Sequence, residues 1–205
     1  MVIKVCGMRE PKNIRAVEQA GTDWMGFIFY PHSARYIADI PTYLPESCKR
    51  IGVFVNESNN QILTKAVEFG LQGIQLHGQE TMEQCRKLKS EGLEIIKAFS
   101  IGQQSDLTGA ERYEDVCDYF LFDTPCQEYG GSGRTFDWNI LRNYRGSTPF
   151  LLSGGIRPSM LTALHQFKHE QWAGIDLNSG FEISPGVKDA PAIHTFISQF
   201  QQTIL

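Results

Sequence analysis

A thiol at Cys6, an imidazole at His77 and carboxylates at Asp123 and Asp176 each stand at or near the end of a short apolar run, and Asn56 and Ser153 hold the same place in two further runs. A thiol and a carboxylate on opposite sides of one substrate can act as base and acid. Each of these residues also has a plainer use. A strand-end cysteine can simply pack, an aspartate before Thr-Pro can form a turn, Asn56 can cap one, and His77 can orient a loop. Chemistry gains weight only if the fold brings them to one place.

The glycine cluster between Leu121 and Trp138, LFDTPCQEYGGSGRTFDW, invites a nucleotide-loop reading that its spacing excludes. A P-loop needs glycine five positions before Gly133, where Glu128 stands, and lysine where Arg134 stands. The segment from 127 to 138 reads instead as a cover over Asp123. Gly130, Gly131 and Gly133 give it backbone freedom, and Asp137 caps the helix that follows.

The elements that must position these groups follow from a recurrent pattern. Apolar runs close at residues 7, 30, 56, 78, 100, 124, 155 and 180, a nearly constant interval. Most intervening segments carry helical spacing. Pro11, Ile14, Val17 and Gly21 outline one helix, Ile62, Ala66, Phe69 and Gly70 another, and Met82, Cys85 and Leu88 share a third face. Residues 158–167 and 189–200 behave likewise. The weak connectors are 38–48, with Pro41 and Pro45, and 102–116. Alternating strands and helices imply a parallel sheet, and eight such units imply a single (β/α)8 barrel over residues 1–205. An open doubly wound sheet is the alternative.

Period two sorts each strand into faces. Ile3 and Val5 oppose Lys4 and Cys6, Ile74 and Leu76 oppose Gln75 and His77, Phe120 and Phe122 oppose Leu121 and Asp123, and Ile175 and Leu177 oppose Asp176 and Asn178. With the apolar set against the helices, Cys6, Asn56, His77, Asp123, Ser153 and Asp176 ring the carboxyl end of the barrel, where such folds build their sites. Lys4 and Lys97 read as internal lysines paired with carboxylates. The segments after strands seven and eight hold Gly154, Gly155, Ser179 and Gly180, small residues whose backbone N–H groups can reach a phosphate.

Composition narrows the partners. The 205 residues are 41% hydrophobic with net charge −4 and no basic stripe, so nucleic acid is not expected as a partner. No apolar run approaches the ~18 residues of a membrane span. The amino terminus reads as a first strand rather than a signal peptide. Five cysteines at irregular spacing, without Cys-x-x-Cys, point to free thiols in a reducing cytoplasm rather than a disulfide or zinc framework.

Several stretches, in order along the whole chain, resemble the phosphoribosylanthranilate isomerase family: KVCGMR, GFIFYPHSARYI, VFVN, QLHG, FDT with YGGSGRTFDW, LSGGI and DLNSGFEISPGVKD. Asn178 departs from the family pattern, where serine is frequent. The resemblance implies a (β/α)8 barrel that isomerises a small phosphorylated substrate in tryptophan biosynthesis, as monomer or homodimer, with neither metal nor organic cofactor. It assigns Asp123 as general acid and Cys6 as general base, Arg35 to the anthranilate carboxylate, and His77 and Asp176 to the substrate. Gly154, Gly155, Ser179 and Gly180 fall to the phosphate. Such chemistry calls for an Asp123 pKa raised by partial burial and a Cys6 thiolate favoured by a positive field. Two rivals follow from the same barrel. A histidine-pathway isomerase uses two aspartates and two phosphate sites, whereas strand one here carries Cys6. A barrel that only binds a phosphorylated ligand would show affinity without product.

Overall fold

The computed structural model describes residues 1–123 and 138–202. Of the proposed cover at 127–138, all but Trp138, with Gly130, Gly131, Gly133 and Asp137, lies outside them, as does Cys126. Eight parallel strands close into one barrel: β1 (Val2–Cys6), β2 (Trp24–Ile28), β3 (Lys49–Phe54), β4 (Gly73–Leu76), β5 (Glu94–Ser100), β6 (Tyr119–Asp123), β7 (Phe150–Leu152) and β8 (Trp172–Leu177). Closure is made by β1 against β8, in the register Lys4 opposite Asp176. The open-sheet alternative is thereby excluded.

The helices arise where the apolar spacing placed them. Pro11–Gln19 (α1) buries Ile14 and Val17, and Asn59–Phe69 (α2) buries Ile62, Ala66 and Phe69 before Gly70 stops it at φ 57°. Ser58 caps α2 by accepting from the Gln61 N–H. Met82–Ser90 (α3) buries Cys85 and Leu88, while Met82, in its exposed first turn, faces solvent. Leu161–Gln166 (α5) is short, and Ala190–Gln202 (α6) buries four apolar residues at helical spacing.

The two weak connectors differ. Residues 38–48 form no helix, and Glu18 of α1 pins the segment by accepting from Tyr43 and from the Glu46 and Ser47 N–H groups. Residues 102–116 do form one, Gln104–Glu111 (α4), followed by a single 3-10 turn. Asp106 explains it, because its carboxylate accepts from the Gly102 and Gln103 N–H groups and closes the first turn. A two-stranded hairpin after β8, Glu182–Ser184 (β9) with Val187–Lys188 (β10), was not anticipated.

The barrel interior is divided along its axis. Trp24, Ile51, Ile96, Ala98, Leu121 and Leu151 form an apolar plug inside the barrel. The outward faces form the larger core under the helices. Lys4, Cys6, Gln75, Ser153 and Asp176 are buried polar or reactive side chains above the plug. Lys97 departs from expectation. It alternates with the inward Ile96 and Ala98, so it faces the helical layer, where it meets Glu80 at 3.1 Å.

Candidate active site

Cys6 ends β1 and is 3% exposed. Its neighbourhood is built by Gly26 on β2. A Cβ there would lie 2.7 Å from the Cys6 Sγ and 3.2 Å from the Lys4 Nζ, so only glycine leaves both side chains room. Lys4 is fully buried and donates to the Asp176 Oδ1 at 2.7 Å, and Ser153 Oγ donates to Oδ2 at 3.1 Å. Strands seven, eight and one are thereby tied together beneath the mouth. Burial works to strip Lys4 of its proton, but Asp176 and Cys6 outweigh it and hold its pKa above the usual lysine value.

The positive field anticipated at Cys6 is present, from Lys4 and Lys188, but it does not win. Burial is the largest influence and pushes the thiol pKa up, with Asp176 adding to the rise. The pKa of Cys6 therefore lies above the ordinary thiol value.

Asp123 ends β6, and its side chain is 40% exposed at the same carboxyl rim. Its Oδ2 lies 3.5 Å from the Nε2 of His77. The chain around His77 is fixed from several sides. The buried Glu80 carboxylate accepts from the Asn56 and Gly78 N–H groups, and Asn56 Oδ1 accepts from the Gln79 N–H at 2.6 Å. Asn56 holds a left-handed backbone at φ 53°, which asparagine tolerates. It therefore braces this turn, the plainer of its two readings.

Arg35 reaches the mouth from the loop after β2. Its Nε and Nη2 donate to the two carboxylate oxygens of Glu182 on β9, at 2.8 and 2.6 Å. Its stem lies against Gly7, where φ is +80° and a Cβ would come within 2.8 Å of the Arg35 Cδ. That contact gives the Cys-Gly pair its physical reason. Lys188, 1% exposed on β10, donates to Glu182 Oε1 at 2.6 Å and to Asn178 Oδ1 at 2.7 Å. Burial opposes the charge on Glu182, but Arg35, Lys188 and the Gly186 N–H together lower its pKa to about 2. Asn178 thus has its own task as an acceptor for a buried ammonium.

Gly154 and Gly155 take left-handed φ values of 92° and 63° after β7. Gly180 packs so closely that a Cβ would fall 2.1 Å from the Ile156 carbonyl oxygen, so the loops after β7 and β8 touch there. Ser179 and Gly180 are exposed beside them.

The structure therefore gathers Cys6, His77, Asp123, Asp176, Arg35 and the two glycine segments at one end of the barrel. Sequence reasoning missed Glu182 and Lys188 as partners of Arg35, although both lie in the stretch DLNSGFEISPGVKD. It also gave Gln75 no task, although that side chain is 1% exposed and meets the His77 ring.

Residues 3–199 match the family model described as N-(5'phosphoribosyl)anthranilate (PRA) isomerase. An N-(5'-phosphoribosyl)anthranilate isomerase from Phocaeicola vulgatus is 71% identical, with all of both chains covered. The crystal structure of phosphoribosyl anthranilate isomerase from Thermotoga maritima superposes with TM-score 0.84 at 36% identity, covering 98% of this chain and 100% of that one. A phosphoribosyl anthranilate isomerase crystallised in complex with reduced 1-(o-carboxyphenylamino)-1-deoxyribulose 5-phosphate superposes with TM-score 0.83 at 32% identity, with the same coverage.

Proposed function

The chain belongs to the phosphoribosylanthranilate isomerase family, and from that premise we propose that Asp123 and Cys6 are the acid and base of its reaction. It catalyses the Amadori rearrangement of N-(5-phosphoribosyl)anthranilate to 1-(2-carboxyphenylamino)-1-deoxyribulose 5-phosphate, a step of tryptophan biosynthesis. The observation that carries the assignment of roles is the placement of the two groups. Both face inward at carboxyl strand ends, three strands apart around the ring through β7 and β8.

In this reading Asp123, as the carboxylic acid, protonates the furanose ring oxygen, and the ring opens to a Schiff base. Cys6 removes the C2′ proton to give an enolamine, which tautomerises to the ketone. Positioned acids and bases of this kind typically contribute ~10²–10⁴-fold each. Lys4 sits beside Cys6 and stabilises the thiolate once it forms, while Asp176 holds that ammonium in place. Arg35, clamped along one edge by Glu182, offers its remaining N–H groups to the substrate carboxylate. The phosphate lies against the backbone of Gly154, Gly155, Ser179 and Gly180.

Loss of anthranilate fluorescence on incubation with phosphoribosylanthranilate measures turnover directly. The roles predict that Asp123→Asn and Cys6→Ala each abolish measurable turnover while substrate still binds. Turnover by Asp123→Asn within twofold of the parent sinks the acid assignment, and the same result for Cys6→Ala sinks the base assignment.

A further inference from the structure

Gln75 on β4 is 1% exposed and points into the barrel beside His77. Its Nε2 lies 2.8 Å from the Nδ1 of His77, while its Oε1 is buried and meets no hydrogen-bond donor. The Nε2 of the same imidazole lies 3.5 Å from Asp123 Oδ2. A buried amide with one end unmet is a cost to the fold, and such groups call for a reason. Here the met end is the one that touches the ring next to the proposed acid.

We infer that Gln75 and His77 are positioning residues for Asp123: the amide of Gln75 fixes the tautomer of His77, which in turn fixes which oxygen of Asp123 carries the proton. The inference rests on the reading of Asp123 as general acid. An amide N–H donating to Nδ1 leaves that nitrogen as an acceptor, so the neutral ring carries its hydrogen on Nε2. The Nε2–H then faces Asp123 Oδ2 at 3.5 Å, which favours that oxygen as the acceptor over a role as carrier of the acid's own proton. The proton goes to Oδ1, the other oxygen.

The ammonium on the neighbouring strand β5 is otherwise engaged. Lys97 faces the helical layer and is bound to Glu80 and to the carbonyls of Leu76, Gly78 and Ala98. The His77 backbone N–H donates to the Phe54 carbonyl at 2.8 Å, which fixes the point from which the side chain reaches the rim.

The test pairs spectroscopy with kinetics. Nitrogen-15 NMR of the parent protein should show the hydrogen of the His77 imidazole on Nε2 rather than Nδ1. Gln75→Glu keeps the shape but offers only acceptors, so it should move a hydrogen to Nδ1, and Gln75→Leu should release the tautomer. Both should lower kcat by about tenfold or more while KM stays within about twofold, since the lost term is proton delivery rather than binding. Should the leucine variant fail to fold, the near-isosteric glutamate variant and the parent spectrum still decide the matter. A parent ring with its hydrogen on Nδ1, an unchanged tautomer in the variants, or kcat within twofold in both overturns the inference. Asp123→Asn is run alongside. If it is inactive while the Gln75 variants are unaffected, only the positioning role fails. If it is active, the acid assignment fails first.

Discussion

Replacing Glu182 with glutamine isolates the energetic weight of the clamp on Arg35. The carboxylate accepts from Arg35 Nε and Nη2, from Lys188 Nζ and from the Gly186 N–H. Its pKa falls from the usual 4.5 to about 2, a difference worth roughly 3 kcal/mol at neutral pH. Because the folded pKa is the lower one, this stability is fully present above about pH 4.5 and is lost as pH falls through about 2. At about pH 3.5 linkage leaves roughly 2 kcal/mol of it. The neutral amide also leaves the buried Lys188 ammonium with Asn178 as its remaining acceptor, and breaking a buried pair costs about 3–5 kcal/mol. Glu182→Gln should therefore unfold in urea with a stability about 3 kcal/mol below the parent at pH 7, and the gap should narrow by about 1 kcal/mol at pH 3.5. A gap below about 1 kcal/mol at neutral pH, or one that does not change with acid, refutes the account of Glu182 as the counter-charge of this cluster.

Arg35→Ala should chiefly raise KM, and an unchanged KM counts against its assignment to the substrate carboxylate. Gly7→Ala forces a side chain into a left-handed backbone and against the Arg35 stem. Thermal unfolding should show a loss of about 1–3 kcal/mol, accompanied by a raised KM. Since the active form needs a thiolate together with a carboxylic acid, the raised Cys6 pKa sets the alkaline edge of the profile. The alkaline limb of kcat/KM should fall above pH 9.0, the ordinary thiol value, and a limb centred below it removes Cys6 from that role.

What was legible in the sequence was whatever local periodicity encodes. Eight strand ends, the faces of α1 and α2, and the inward direction of Cys6, His77, Asp123 and Asp176 all follow from alternation and turn residues that act within a few positions. The pairing of Lys4 with a carboxylate was legible too, because a lysine on an inward strand face must find one. Lys97 was misplaced because EIIKAFS is apolar on both faces, so alternation alone gives no hand to the strand. The clamp of Glu182 and Lys188 on Arg35 was hidden for a different reason. It joins residues 147 positions apart, and nothing local in FEISPGVKD states what will face it. The direction of the Cys6 pKa was not legible, because it is decided by depth of burial, which distant strands and helices set.

The contacts that complete the site run between the two ends of the polypeptide. Lys4 meets Asp176 across 172 positions, and Arg35 meets Glu182 across 147. A nascent chain that has emerged only as far as β7 holds its thiol and its arginine but lacks the partners that orient them. Ligand affinity should therefore switch on late in synthesis, when the final hairpin leaves the ribosome and the last seam zips shut. Binding competence and topological completion are then one event, which makes a ligand of this pocket a reporter of finished folding.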